Sequence, residues 1–109
     1  MKTKHILVTG GAGYIGSHMV RVLLDKGCRP VVFDNLSKGH RDFIPAGVPF
    51  VKGDLLRPAD IRRVFEKYPV EAVIHYAALI VVPESVSEPL KYYQNNITGS
   101  INLFSEMVR

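Results

Sequence analysis

The sequence predicts an α/β fold around a parallel sheet, and three observations carry that expectation. Short apolar runs alternate with stretches of helical apolar spacing along the 109 residues, the pattern of strands joined by crossover helices. A glycine-rich turn, Thr9-Gly10-Gly11-Ala12-Gly13-Tyr14-Ile15-Gly16, lies between the first apolar run and the first helical stretch. An acid, Asp34, ends the second apolar run, 24 positions after Gly10. Together they predict a doubly wound sheet with strand order 3-2-1-4 and a ligand crevice where the order reverses, between strands one and four.

Each element follows from its local pattern. His5 to Thr9 is a nearly continuous apolar run, as expected of a parallel strand covered on both faces. From Tyr14 to Lys26, Ile15, Met19, Val22 and Leu23 fall at i, i+4, i+7 and i+8 and predict one apolar helical face. Gly27 then ends the helix. Pro30-Val31-Val32-Phe33 is a second strand closing on Asp34, and residues 36–48, with Ser37, Gly39, Pro45 and Gly47, form a loop. Pro49 to Lys52 is a third strand that runs into Gly53-Asp54-Leu55. Pro58 suits the first turn of a second helix in which Ile61, Val64, Phe65 and Tyr68 recur at helical spacing, leaving Arg57, Arg62 and Arg63 to solvent. Val70 to His75 is the fourth strand, after which Tyr76-Ala77-Ala78-Leu79 crosses the sheet edge with small residues that permit close approach. A last helix starts near Pro89, and Leu90, Tyr93, Ile97, Ile101, Phe104 and Val108 are expected to form its buried stripe. Gly99 costs this helix about 1 kcal/mol relative to alanine, so a close packing contact is expected there.

The candidate chemistry lies at the carboxyl ends of these strands. In a Rossmann-like reading, Gly10 lets the chain turn off the first strand, Gly13 lets backbone approach a pyrophosphate, and Gly16 lets the helix pack tightly on the sheet. The helix then aims its free N–H groups at the anion. A purely structural glycine turn is the plain alternative. Asp34 stands where an acid accepts hydrogen bonds from the adenosine ribose, which favours NAD over NADP, although Lys38 and Arg41 soften the preference. A turn made by Asp34 with Asn35 would need no ligand. Asp54 either reaches toward the adenine or caps a helix. His75 titrates near neutrality, but with no His, Cys or Asp close by in sequence it reads as a packed, hydrogen-bonded residue rather than a catalyst. Asn95 and Asn96 are poor residues for a helix interior, so this polar pair either serves a ligand or lies on the surface.

Composition narrows the classes. One domain and one modest core are expected of this length. Cys28 is the only cysteine, so a CxxC pair and a cysteine-based zinc cluster are excluded and packing is its expected role. The net charge of +4 is spread over 14 Lys and Arg interspersed with ten Asp and Glu, which reads as a solvated surface and not as a nucleic-acid footprint. No apolar run approaches the roughly 18 residues of a membrane span, and Met1-Lys2-Thr3-Lys4-His5 leads into a strand instead of a signal-peptide core. A cytoplasmic location is the expectation.

Beyond these local readings, the chain resembles the amino-terminal part of the UDP-glucose 4-epimerase family of extended short-chain dehydrogenases/reductases. The resemblance covers all 109 residues. It rests on Thr9 to His18, on Asp34-Asn35-Leu36-Ser37, on Gly53-Asp54-Leu55, on His75-Tyr76-Ala77-Ala78-Leu79, on Pro83-Glu84-Ser85-Val86 and on Pro89-Leu90-Lys91-Tyr92-Tyr93-Gln94-Asn95-Asn96. By position it implies NAD contacts at Tyr14 and Ile15, at Asp34, Asn35, Leu36, Ser37, Lys38 and Gly39, at Asp54 and Leu55, at Tyr76, Ala77, Ala78, Leu79 and Ile80, and at Asn95. Two departures stand out: Tyr76 replaces an expected phenylalanine, and Ile80 stands where some members carry lysine.

The resemblance implies an isomerase that interconverts UDP-glucose and UDP-galactose through a 4-keto sugar, with NAD taking and returning the hydride. Such enzymes use a Ser or Thr and a Tyr-x-x-x-Lys pair for the proton chemistry. In this sequence the residues four positions after a tyrosine are His18, Ala72, Ile80, Asn96 and Ile97. No catalytic residue is therefore assigned, and the chain is expected to be a truncated NAD-binding domain, inactive alone. The catalytic pair, a fifth strand and the sugar-binding domain would lie beyond Arg109, leaving one edge of strand four unpaired. The resemblance further implies a UDP-sugar substrate for the whole enzyme and a homodimer formed through the last helix. Another nucleotide-sugar epimerase or dehydratase of the same family, and a non-catalytic NAD-binding or interaction module, are the alternatives.

Overall fold

The computed structural model of the chain describes residues 5–37, 39–77 and 86–109. Four parallel strands, β1 (His5–Thr9), β2 (Pro30–Asp34), β3 (Phe50–Lys52) and β4 (Val70–His75), form one sheet in the order β3-β2-β1-β4. This is the expected Rossmann-like arrangement. Leu7 lies opposite Val31 on one side and Val73 on the other, and Phe33 lies opposite Val51. The side-chain alternation of the strands sorts the core into two layers. Leu7, Val31, Phe33, Val51 and Val73 point to one face, where they meet Ile61, Val64 and Leu103. Ile6, Val8, Val32, Phe50 and Ile74 point to the other, where they meet Val20 and Leu23. Both faces are covered, as the near-continuous apolar strands require.

Helix α1 (Tyr14–Asp25) covers the second face. Its C-terminus closes as a Schellman motif: Gly27, at φ +78°, donates to the Leu24 carbonyl, and Cys28 donates to the Leu23 carbonyl. The buried stripe of α1 is Gly16, Ser17, Val20 and Leu23. Ile15 and Val22, expected on that stripe, are exposed. The register is set by the glycine instead of by the bulkiest residues. A Cβ on Gly16 would lie 2.1 Å from the Gly10 carbonyl oxygen, so only a bare α-carbon allows the first turn to sit so close, and its face becomes the inward one.

On the opposite face lie α2 (Pro58–Lys67) and a long terminal rod. The rod comprises α3 (Pro89–Tyr93), a π-helical turn (Gln94–Thr98) and α4 (Gly99–Met107), with αR backbone at both junctions of the turn. The expected stripe of this rod is overturned. Leu90, Tyr93, Ile97, Ile101, Phe104 and Val108 are all exposed, Ile101 by 57% and Val108 by 86%, while Leu103 is completely buried together with Tyr92, Gly99 and Glu106. Three contacts fix that rotation. The α-carbon of Gly99 packs on Leu55, where an added Cβ would stand 3.0 Å from the Leu55 Cβ. Asn102 Nδ2 donates to the Leu55 carbonyl at 2.8 Å, and Arg62 Nε bonds Glu106 Oε1 at 3.0 Å. The close contact expected at Gly99 is thus present, and Arg62, expected to be free in solvent, instead ties α2 to α4.

Gly16 in the first turn of α1 and Gly27 just past its end predict unequal responses to one change. Gly27→Ala meets open space and bears only the left-handed backbone cost, about 1–2 kcal/mol. Gly16→Ala places a methyl inside a carbonyl oxygen and is expected to cost more than about 3 kcal/mol. Urea unfolding of the two variants measures both, and equal costs would contradict the close-approach account.

Candidate functional site

The carboxyl ends of the strands surround a small cleft of about 90 Å³, lined in part by Gly10, Gly13, Asp34, Tyr76, Ala77 and Asn95. The glycine turn makes its floor. Gly10 takes φ +70°, and a Cβ there would lie 2.7 Å from the backbone of Tyr76, so a side chain is excluded by both strain and space. Gly13 donates to the Gly10 carbonyl at 3.0 Å and forms the N-cap of α1. Among the described residues no side chain caps this terminus, and no acid stands in its first turn. Its leading N–H groups and the positive end of the helix dipole therefore suit an anion.

Asp34 forms the wall. Its side chain is turned inward by two backbone donors: Ala12 N–H to Oδ2 at 3.0 Å and Leu36 N–H to Oδ1 at 2.7 Å. The second bond is the turn that Asp34 was expected to make, here closed across Asn35 to Leu36, which takes φ +65°. The first ties the carboxylate to the glycine turn itself. The turn and ligand readings of Asp34 are compatible, because each carboxylate oxygen keeps a further lone pair. The segment after Asp34 also folds onto the glycine turn, with His40 N–H donating to the Ala12 carbonyl at 2.9 Å.

Of the candidate contacts, Gly10, Gly13, Asp34, Asn35, Ser37, Gly39, Leu55, Tyr76, Ala77 and Asn95 come together around this cleft. Tyr14 and Ile15 project into solvent at the start of α1. Gly16 is a spacer against Gly10, and Leu36 packs into the α1-side layer. Asp54 lies in an adjoining groove with Lys52, Arg57 and Arg63 that shares Asn35 and Gly53 with the cleft. It does not cap α2: Oδ1 accepts from Leu56 N–H at 2.9 Å, and the N-cap residue is Arg57. Lys38, Ala78, Leu79 and Ile80 lie outside the described residues. Phe33 and Gly53 line the cleft and were not among the candidates. Their signal was the close packing of a glycine on the aromatic ring, where a Cβ on Gly53 would stand 2.6 Å from Phe33, and spacing alone does not reveal it.

The back of the cleft is a polar seam. Asn95 Nδ2, on the π-turn, donates to the Ala77 carbonyl at 3.0 Å. Asn95 is therefore half-buried at the back of the cleft and not on open surface. Thr9 Oγ1, completely buried, receives Tyr76 N–H at 3.1 Å and bonds His75 Nδ1. The other ring nitrogen, Nε2, lies 3.0 Å from Ser100 Oγ. The sequence showed no partner for His75 because its partners lie 66 and 25 positions away. With both nitrogens engaged, the ring is a hydrogen-bonded strut, and burial pushes its pKa below the ordinary 6.5, keeping it neutral at pH 7. Among the described residues no group of three or more His, Cys, Asp or Glu could hold a metal ion, and no helix is long and apolar enough to cross a membrane.

Known proteins share this fold. A UDP-glucose 4-epimerase of Azospirillum brasilense is 50% identical over 95% of this chain and 30% of its own length. The crystal structure of the Thermus thermophilus UDP-glucose 4-epimerase in complex with NAD is 41% identical with a TM-score of 0.92, covering 94% of this chain and 33% of that one. The Thermotoga maritima UDP-glucose 4-epimerase with UDP-glucose is 38% identical with a TM-score of 0.90, covering 94% and 33%. This chain thus spans about a third of the length of these relatives and matches their amino-terminal part. Residues 6–109, which hold the glycine turn, Asp34 and the whole polar seam, match throughout, and the chain belongs to the NAD dependent epimerase/dehydratase family.

Proposed function

We propose that these 109 residues form the NAD-binding domain of a UDP-glucose 4-epimerase. The observation that carries the reading is Asp34, whose carboxylate is fixed by the backbone of the glycine turn at the wall of the cleft. An acid in that place accepts from ribose hydroxyls and repels a 2'-phosphate, which selects NAD. The uncapped start of α1 takes the pyrophosphate through backbone N–H groups near Gly13, Tyr14 and Ile15. The Asn35–Gly39 segment, Asp54 and Leu55 hold the adenosine half, and Tyr76, Ala77 and Asn95 hold the other half at the back of the cleft. Lys38, Ala78, Leu79 and Ile80 join this set by their positions in the sequence.

When bound, NAD supplies the hydride acceptor for C4 of the sugar. The chain's own residues position it. No tyrosine here is followed four positions on by lysine, so the proton chemistry is assigned to residues outside this chain, as is recognition of the UDP-sugar. The exposed apolar stripe from Leu90 to Val108 is assigned to contact with a second copy, because a continuous apolar face on one helix is seldom left in water. A cytoplasmic location follows from the same reading.

Three outcomes check it. NADH fluorescence titration is expected to saturate, with NADPH at least about tenfold weaker, a difference of about 1.4 kcal/mol, and Asp34→Ala is expected to remove most of that preference. Equal binding of both cofactors by the wild type would contradict the role of Asp34. The 109-residue chain is expected not to turn over UDP-galactose, and turnover would place the acid–base groups within it. Sedimentation is expected to show a dimer that Ile101→Glu dissociates, and a monomer at all concentrations would remove the helix interface.

A further inference from the structure

We infer that His75 is a positioning residue: held in its Nε2–H tautomer, it is the middle of a directed hydrogen-bond relay, Thr9–His75–Ser100–Asn96, that pins the back of the cleft to both β1 and the terminal helix. The inference deepens the NAD-binding reading and rests on it for its effect on cofactor.

Proton counting fixes the direction. Thr9 Oγ1 already accepts Tyr76 N–H at 3.1 Å and Ala77 N–H at 3.4 Å, so its own hydrogen goes to His75 Nδ1. Nδ1 is therefore the bare nitrogen, and Nε2 carries the hydrogen toward Ser100 Oγ at 3.0 Å. Ser100 in turn donates to the Asn96 carbonyl at 2.8 Å. Each hydroxyl donates its one hydrogen, each ring nitrogen has one role, and every donor faces an acceptor. A second proton on the ring would set a third N–H against Thr9 Oγ1 and leave the threonine hydrogen without its acceptor. The side chains that bond or stack on the ring, Thr9 of β1 and Ser100 and Phe104 of α4, carry no charge to offset this.

The relay ends where the cofactor contacts begin. Thr9 holds the amides of Tyr76 and Ala77, and Asn95, next to the relay's last acceptor, holds the Ala77 carbonyl. Tyr76 and Ala77 both line the cleft. Asn95 and Asn96 are neighbours in the π-turn: the Asn95 side chain reaches the cleft wall, and the Asn96 backbone carbonyl receives Ser100. Losing the ring's orientation at any link would loosen the Tyr76–Ala77 wall.

The test is the histidine tautomer by 15N NMR of the full 109-residue chain, alongside NADH affinity. His75 is expected to show a bare Nδ1 and a protonated Nε2, titrating below pH 6.5. Ser100→Ala, a helix-compatible change at a half-buried site, is expected to mix the two tautomers and weaken NADH by up to about tenfold, the range of one lost hydrogen bond. Thr9→Ser, which keeps the hydroxyl, is expected to retain tautomer and affinity, whereas Thr9→Val is expected to lose both. A protonated Nδ1 in the wild type, or a Ser100→Ala chain with unchanged tautomer and affinity, overturns the relay. If the wild type binds no NADH, the cofactor reading fails, and the wild-type and Ser100→Ala tautomers still decide the relay.

Discussion

The fold depends on two adjoining close approaches of backbone to backbone. The α-carbon of Gly16 rests against the Gly10 carbonyl, and the α-carbon of Gly10 rests against Tyr76. No side chain fits in either gap. The end of β1, the start of α1 and the end of β4 therefore meet at one place, with main chain rather than side chains on the surface between them. That is why the uncapped N-terminus of α1 opens onto the same cleft as Asp34 and Asn95. It also explains the rotation of α1, because a helix seated on Gly16 turns Ser17, Val20 and Leu23 inward and leaves Ile15 outside.

Around this junction the cleft is held by short polar bonds that span long sequence separations. Asp34 reaches back 22 positions to Ala12, Asn95 reaches 18 to Ala77, and Thr9 and His75 join strands 66 positions apart. Buried polar groups satisfied in this way fix geometry more than they add stability. The apolar layers on the two faces of the sheet supply the cohesion, and the polar seam at the carboxyl ends of the strands supplies the shape.

Much of the fold was legible because strands and glycines report local constraints. The bounds of β1 and β4, the α1 stop at Gly27 and the strand order all follow from apolar runs and turn chemistry. The candidate contacts at Asp34, Asn95 and the glycine turn were legible for a similar reason: acids, amides and glycines in unfavourable places need an explanation. The faces of the helices were not. Periodicity selects the most apolar stripe, Leu90 to Val108, but the terminal rod is seated by Gly99, Leu103 and a buried Glu106 paired with Arg62. A glycine and a glutamate carry little hydrophobic signal, and their partners, Leu55 and Arg62, are far away in the sequence, 44 positions in the case of Arg62 and Glu106. His75 was legible as a packed, hydrogen-bonded residue, but its partners, 66 and 25 positions away, were not. Phe33 and Gly53 were missed because a ring that serves as both core and cleft wall looks only like core in sequence.

On the proposed reading the glycine turn, Asp34 and the end of β4 form one dinucleotide cradle, which amide chemical-shift mapping during titration with NAD would reveal as a unit. Gly13, Leu36, Tyr76 and Ala77 and the side-chain amide of Asn95 are expected to shift along one common saturation curve, while Cys28 and Val48 at the opposite end of the sheet stay fixed. Shifts confined to one of these segments, or centred on Cys28 and Val48, would contradict it.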